Sequence, residues 1–194
     1  MSSYRKAVLA LCALGGFCGS ALATGEILSI ITPADQKRLG DYERTRSAAI
    51  EEARAGGNPG EFSSVQKLLD ATELEFTGFD LTGDWRCRVV KLGENLPLVV
   101  YSWFKCRVTD DGAGWQLTKL TGSQRTKGRF YDDRPTRLIY LGAGYVEGEK
   151  PPKYGAGVKS DQVGYALRTG KDSWRIEFPD PYYESKLDIL ELRR

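Results

Sequence analysis

Histidine is missing altogether from this chain of 194 residues, methionine occurs once and cysteine four times. Without imidazole there is no histidine-activated nucleophile, no zinc site built on ring nitrogens and no histidine pH switch. An excess of either charge is also lacking. The 28 Lys+Arg against 26 Asp+Glu leave a formal net charge of +2, too little to draw the chain to nucleic acid. No apolar run is long enough to span a bilayer as a helix; the longest, Ala7–Phe17, is short and ends among Gly15, Gly16 and Gly19. What remains, 41% hydrophobic and 28% charged, is the composition of a globular domain, and the length fits one.

The first residues read as an address. Arg5 and Lys6 precede the apolar run, and Ala21-Leu22-Ala23 places small residues where a signal peptidase reads them. A secretory signal peptide over 1–23, cut after Ala23, is expected, with a soluble, exported, periplasmic domain over 24–194. Removing Arg5 and Lys6 balances the remaining charge. Cys12 and Cys18 follow the bulky Leu11 and Phe17, so lipid attachment is not expected.

Helical spacing comes first. Thr32 can cap and Pro33 suits a first turn; Leu39, Tyr42, Ala49 and Ala53 then recur helically to about Ala55. Gly56-Gly57-Asn58-Pro59-Gly60 ends that helix, and a second is expected over Glu61–Ala71. The two make a helical hairpin over 32–71. From Gly83 to Arg194 the texture is of short strands between Gly, Asp and Pro clusters. Eight are expected: Asp84–Leu92, Pro97–Val108, Gly114–Leu120, Gln124–Tyr131, Arg137–Val146, Gln162–Arg168, Ser173–Phe178 and Lys186–Leu192. The fold class is mainly β, an eight-stranded antiparallel up-and-down barrel over 83–194 behind the two-helix hairpin, with a sandwich as the alternative.

A register can be proposed for the first hairpin. Centring its turn on Leu96 and Pro97 sets Cys87 opposite Cys106, within disulfide reach, in a compartment that permits the bond. Two buried free thiols are the alternative. Trp85, Cys87 and Val89 then share the inner face with Phe104, Cys106 and Val108. The outer face carries Arg86 and Arg88 opposite Arg107 and Lys105. Four neighbouring cations repel unless something intervenes: either acids such as Asp84, Asp110 or Glu191, or an anionic partner. Farther along, Arg125, Lys127 and Arg129 alternate outward while Gln124, Thr126 and Phe130 point in.

Two resemblances follow. Thr82-Gly83-Asp84-Trp85, with Arg193 or Arg194 after the last strand, resembles the G-x-W and closing Arg of lipocalins, in which the Trp plugs one barrel end and the Arg packs across it. Over nearly the whole mature chain, Gly83-Asp84-Trp85-Arg86-Cys87-Arg88, Pro97–Tyr101, Trp103-Phe104-Lys105-Cys106-Arg107, Thr121–Arg125 and Asp188-Ile189-Leu190-Glu191-Leu192 resemble the exported bacterial domain-of-unknown-function family 4893. That resemblance implies no activity.

For function, an enzyme is the lesser reading. The adjacent pairs Asp110-Asp111 and Asp132-Asp133 could serve a glycosidase, yet at strand ends they more often form turns. No metal or cofactor is expected. The leading reading is a non-catalytic binding module whose lipocalin-like barrel holds a small apolar ligand. Trp85, Phe104, Gln124 and Thr126 are its candidate contacts, within aromatic walls that also include Tyr140, Tyr165 and Trp174. The alternative is an exported inhibitor or envelope scaffold, binding another protein through Arg86, Arg88, Lys105 and Arg107. Non-reducing peptide mapping of exported protein is expected to return one cross-linked Cys87–Cys106 peptide; recovery of both as free thiols would refute the pairing.

Overall fold

The computed structural model describes residues 27–194. The predicted signal peptide, with Cys12 and Cys18, lies outside the described residues. Strands follow one another as β1 (Gly83–Leu92), β2 (Leu98–Val100), β3 (Phe104–Asp110), β4 (Trp115–Lys119), β5 (Gln124–Arg134), β6 (Arg137–Val146), β7 (Asp161–Gly170), β8 (Ser173–Pro179) and β9 (Leu187–Arg193). From β3 to β9 each strand pairs antiparallel with the next. β1 pairs with β3 on one edge and with β9 on the other, which closes an eight-stranded barrel. β2 is an extra short strand on the edge of β1 that β3 occupies lower down. The strand expected over Pro97–Val108 is therefore broken at 101–103, where Trp103 turns out between the guanidinium groups of Arg86 and Arg88, 5.1 and 5.0 Å from its ring centroid.

The expected hairpin register is off by two residues. Cys87 lies opposite Phe104, and Cys106 opposite Trp85: the turn sits earlier than expected, with Val90 opposite Val100, and the break at 101–103 inserts one residue between the two ladders. The cysteines are diagonal neighbours, with Cα atoms 5.9 Å apart, and are joined by a disulfide. A slip of two keeps every side chain on its own face, whereas a slip of one would exchange the faces. Trp85, Cys87, Cys106 and Val108 are accordingly buried inside the barrel. The same slip sets Asp84, rather than Arg86, opposite Arg107.

Inside, Leu117, Phe130, Leu138, Tyr140, Ala166, Trp174, Ile176 and Leu192 pack into a continuous core. Tyr140 lies across the paired Gly128 and Gly142, where an added Cβ would come within 2.6 Å of its ring. The two glycines make room for one large ring to fill the lumen. One end of the barrel is shut. Trp85 donates to the Leu81 carbonyl at 2.9 Å, and the Arg194 guanidinium lies 4.4 Å from its ring centroid while donating to Thr82 O and Asp80 O. Phe76 and Phe79, from the segment leading into β1, pack on Trp174 behind it. Tyr165, expected among the inner aromatics, stands on the outer wall, edge-on to Tyr42 with ring centroids 4.8 Å apart.

The expected first helix is two: α1 (Pro33–Gly40) and α2 (Tyr42–Gly56), divided at Asp41. Gly40 is a poor helix former, and Asp41 there accepts from both Lys37 and Arg44. The break lets each helix meet its own part of the barrel. α3 (Pro59–Leu69) begins two residues earlier than expected, capped by Asn58, whose carbonyl accepts from Gly60 N and Glu61 N. Ala49 and Ala53 of α2 and Val65, Leu68 and Leu69 of α3 cover Val90, Leu92, Leu187 and Ile189, the outer side of the β1–β9 seam.

Beside that seam a charge is buried deliberately. Glu177 on β8 has no exposed surface, and its carboxylate accepts from Tyr42 Oη (2.8 Å), Arg46 Nε (2.7 Å) and Arg175 Nε (2.7 Å). Arg175 also donates to Leu68 O and Ala71 O, at the end of α3. Removing one member of such a buried set strands the others. Glu177→Ala is expected to cost about 3–5 kcal/mol in chemical denaturation, whereas Arg107→Ala, in an exposed pair with Asp84, should cost under about 1 kcal/mol.

Candidate functional site at the barrel mouth

Opposite the plugged end, the inward positions become polar. Lys91 on β1, Lys119 on β4, Gln124 and Thr126 on β5, Gln162 on β7 and Asp188 on β9 converge there. Three adjoining cavities all include Gln124 in their lining. One of about 60 Å³ lies among Val89, Lys119, Thr126, Gln162, Phe178 and Asp188. A second, of about 100 Å³, is lined by Val89, Tyr101, Phe104, Lys119, Ser123 and Gln124. The third, about 280 Å³, opens outward past Gln162, Asp188, Tyr182 and Tyr183. The two tyrosines are half exposed and meet edge to face at 4.6 Å. These volumes suit a small molecule at the rim rather than one enclosed in an empty calyx.

Each polar group is held by its neighbours. Thr126 donates to Gln162 Oε1 at 2.5 Å and lies 2.7 Å from Tyr140 Oη, so Tyr140 donates to it. Burial raises the Tyr140 phenol well above its ordinary value. Gln162 lies over Gly144, whose position leaves room for its amide. Lys119 is 4% exposed, donates to the Gln124 carbonyl at 2.5 Å, and holds its ammonium 3.9 Å from the Phe104 ring centroid. Gly122, at φ +89°, permits this: a Cβ there would lie 2.8 Å from Lys119 Nζ. Burial, with a smaller contribution from the like charge of Arg125, pushes the Lys119 amine down to about 8. On the facing wall Asp188 accepts from Ser185 Oγ at 2.6 Å, and burial pushes its carboxyl up to about 6 despite Lys91 at 4.0 Å. Lys91 itself pairs with Glu184 at 2.7 Å.

Of the four residues expected to line a ligand, three come together. Phe104, Gln124 and Thr126 border the mouth, and Trp85 belongs to the plug at the other end. Gln124 is exposed rather than interior, being the first residue of its strand. The outer cations are dispersed among partners. Arg88 bonds Glu191 at 2.6 Å, Arg107 bonds Asp84 at 2.6 Å, and Arg86 and Arg88 clasp Trp103. Lys105 extends from the exposed face beside them. Sequence reasoning passed over Lys119, Gln162 and Asp188. Lys119 had a signal, for Trp115, Leu117 and Lys119 share one strand parity and the first two are plainly inward. Asp188 had none, since Leu187, Ile189 and Leu190 occupy both parities around it.

The architecture is thus an antiparallel barrel with one aromatic end closed by arginine and one polar end open. The chain matches the family described as Domain of unknown function (DUF4893) over residues 28–192, and it belongs to that family. No curated protein and no solved structure matches it.

The two perturbed groups give opposite pH signatures. For Asp188 the charged form is disfavoured in the fold, so its stabilising contribution is complete below the ordinary carboxylate value near 4 and is lost as pH rises through 6. Asp188→Asn should therefore be neutral at pH 4 and stabilising by about 1–3 kcal/mol at pH 7, read by denaturant unfolding. For Lys119 the protonated form is disfavoured, so wild-type stability should rise from pH 8 to above 10. Lys119→Met should flatten that rise.

Proposed function

We propose that this chain is an exported, non-catalytic binding module that takes a small molecule at the open mouth of its barrel. The observation that carries the reading is the set of cavities sharing Gln124 above a lumen packed with the protein's own rings. Small barrels are commonly filled in this way, which moves the ligand from an apolar interior to the polar rim. Export rests on the basic, apolar and small-residue order of 1–23, and a disulfide suits that compartment. A binding role is preferred to catalysis because the chain has no histidine to serve as a general base or to activate a nucleophile.

Protein recovered from the cell envelope is expected to begin at Thr24, without lipid, and to carry additional mass in native mass spectrometry. Gln124→Trp, which fills the shared wall without touching the core, should lose that mass and keep the wild-type circular dichroism. Identical spectra for wild type and variant, with or without added mass, would overturn the mouth as the ligand site.

A further inference from the structure

Buried charges in proteins are ordinarily paired, because an unpaired one loses its hydration for nothing. Other buried charges among the described residues keep to that rule: Glu177 has three donors, Glu191 has Arg88 and Arg193, Lys91 has Glu184, and Asp161 accepts from the amides of Gly155 and Gly157. Lys119 breaks it. It is 4% exposed, yet among the described residues no carboxylate lies within 4.0 Å of its Nζ. One of its three protons goes to the Gln124 carbonyl, and the nearby guanidinium of Arg125 is of like sign. Beside it lies the cavity of about 100 Å³, whose other walls are Val89, Tyr101, Phe104, Ser123 and Gln124. That lining holds one cation, two hydroxyls, one amide and no acid; Asp188 faces the adjoining cavity of about 60 Å³, on the side of Lys91. The cavity beside Lys119 is thus a donor-rich pocket with an apolar floor and no negative charge in its lining.

We propose that Lys119 anchors the carboxylate head of a small organic acid, with Ser123, Gln124 and Tyr101 as neutral donors around it. The remainder of the molecule extends past Gln124 toward Tyr182 and Tyr183 in the outer cleft. The proposal rests on the mouth being the binding site and specifies what that site selects. A carboxylate fits better than a larger anion, because the pocket is small and offers one full charge with neutral donors, whereas phosphate recognition usually recruits arginine forks or several backbone amides. The cost of burying Lys119 in the free protein then becomes the source of selectivity, since only an anionic ligand relieves it.

The test uses the mature protein with acetate, propanoate and benzoate as probes, and acetamide, propanamide and benzamide as their neutral counterparts. Lysine side chains labelled with ¹³C and ¹⁵N are followed by NMR during each titration and across pH. The carboxylates are expected to shift the Lys119 resonances, raise the pH at which it titrates, and bind about tenfold or more tightly than the amides. Lys119→Met should abolish the preference, and Lys127→Met, which faces outward on the same hairpin, should keep it. Amides binding as well as the carboxylates, with shifts around Gln124 and Tyr182, would overturn the anionic head while leaving the mouth as a site. Shifts from no probe at either place would overturn both.

Discussion

The ladder between β1 and β9, running from Arg86 opposite Arg193 to Leu92 opposite Leu187, joins the first strand of the barrel to the last and closes it, with the short β2 left as an edge strand on β1. The other features of the molecule follow from that closure. It carries Arg194 back across Trp85 to seal one end. It sets Asp188 beside Lys91 at the other. It also makes a seam whose outer face is apolar, at Val90, Leu92, Leu187 and Ile189, and which must be covered. The covering is supplied by α2 and α3, whose own stripes are too short to stand alone. Helices and barrel are thus parts of one packing problem, and the buried Glu177 set pins the helices to β8 from the side.

Closure also decides where a ligand can go. A small barrel has a lumen only as wide as the side chains that fill it, and here Tyr140, spread over Gly128 and Gly142, takes the widest part. Trp174, Phe130 and Leu192 occupy the closed half. Space survives only where the rings stop, above Phe178 and Phe104, and there the inward residues turn to Lys, Gln, Thr and Asp. The glycines that admit Tyr140, like Gly122 under Lys119, are positions where absence of a side chain is what the neighbouring side chain requires.

Much of this was legible in the sequence, for a physical reason. Alternation fixes faces with period two, so an error of two between β1 and β3 left Trp85, Cys87, Cys106 and Val108 inward and kept Cys87 within reach of Cys106. The position of the break at 101–103 was not legible, since Tyr101, Ser102 and Trp103 have strand-forming neighbours on both sides. It depends on Trp103 finding Arg86 and Arg88 across the chain. The division of the first helix at Asp41 was hidden for a similar reason: the apolar spacing continues through it, and only the two separate walls met by α1 and α2 demand it. Tyr165 misled because its wall is covered, so bulky residues face outward on β7 while Gly164 and Ala166 face in. Of the mouth, Phe104, Gln124 and Thr126 were visible as inward residues, whereas their convergence with Asp188 depends on the closure.

The contrast between two buried charges is what separates scaffold from site. Glu177 is fully buried and accepts three hydrogen bonds from Tyr42, Arg46 and Arg175; its environment is complete in the protein alone. Lys119 is nearly as buried, but its surroundings are a ring, a carbonyl and a second cation. The hydrogen bond and the cation–π contact offset only part of the cost of desolvating the ammonium, a cost that a methionine of similar length would avoid. A buried charge without a carboxylate partner, set at the open mouth of the barrel, is what the proposed anionic ligand would meet. On the outer face, by contrast, Arg88 and Arg107 are met by Glu191 and Asp84, while Arg86 lies against the Trp103 ring.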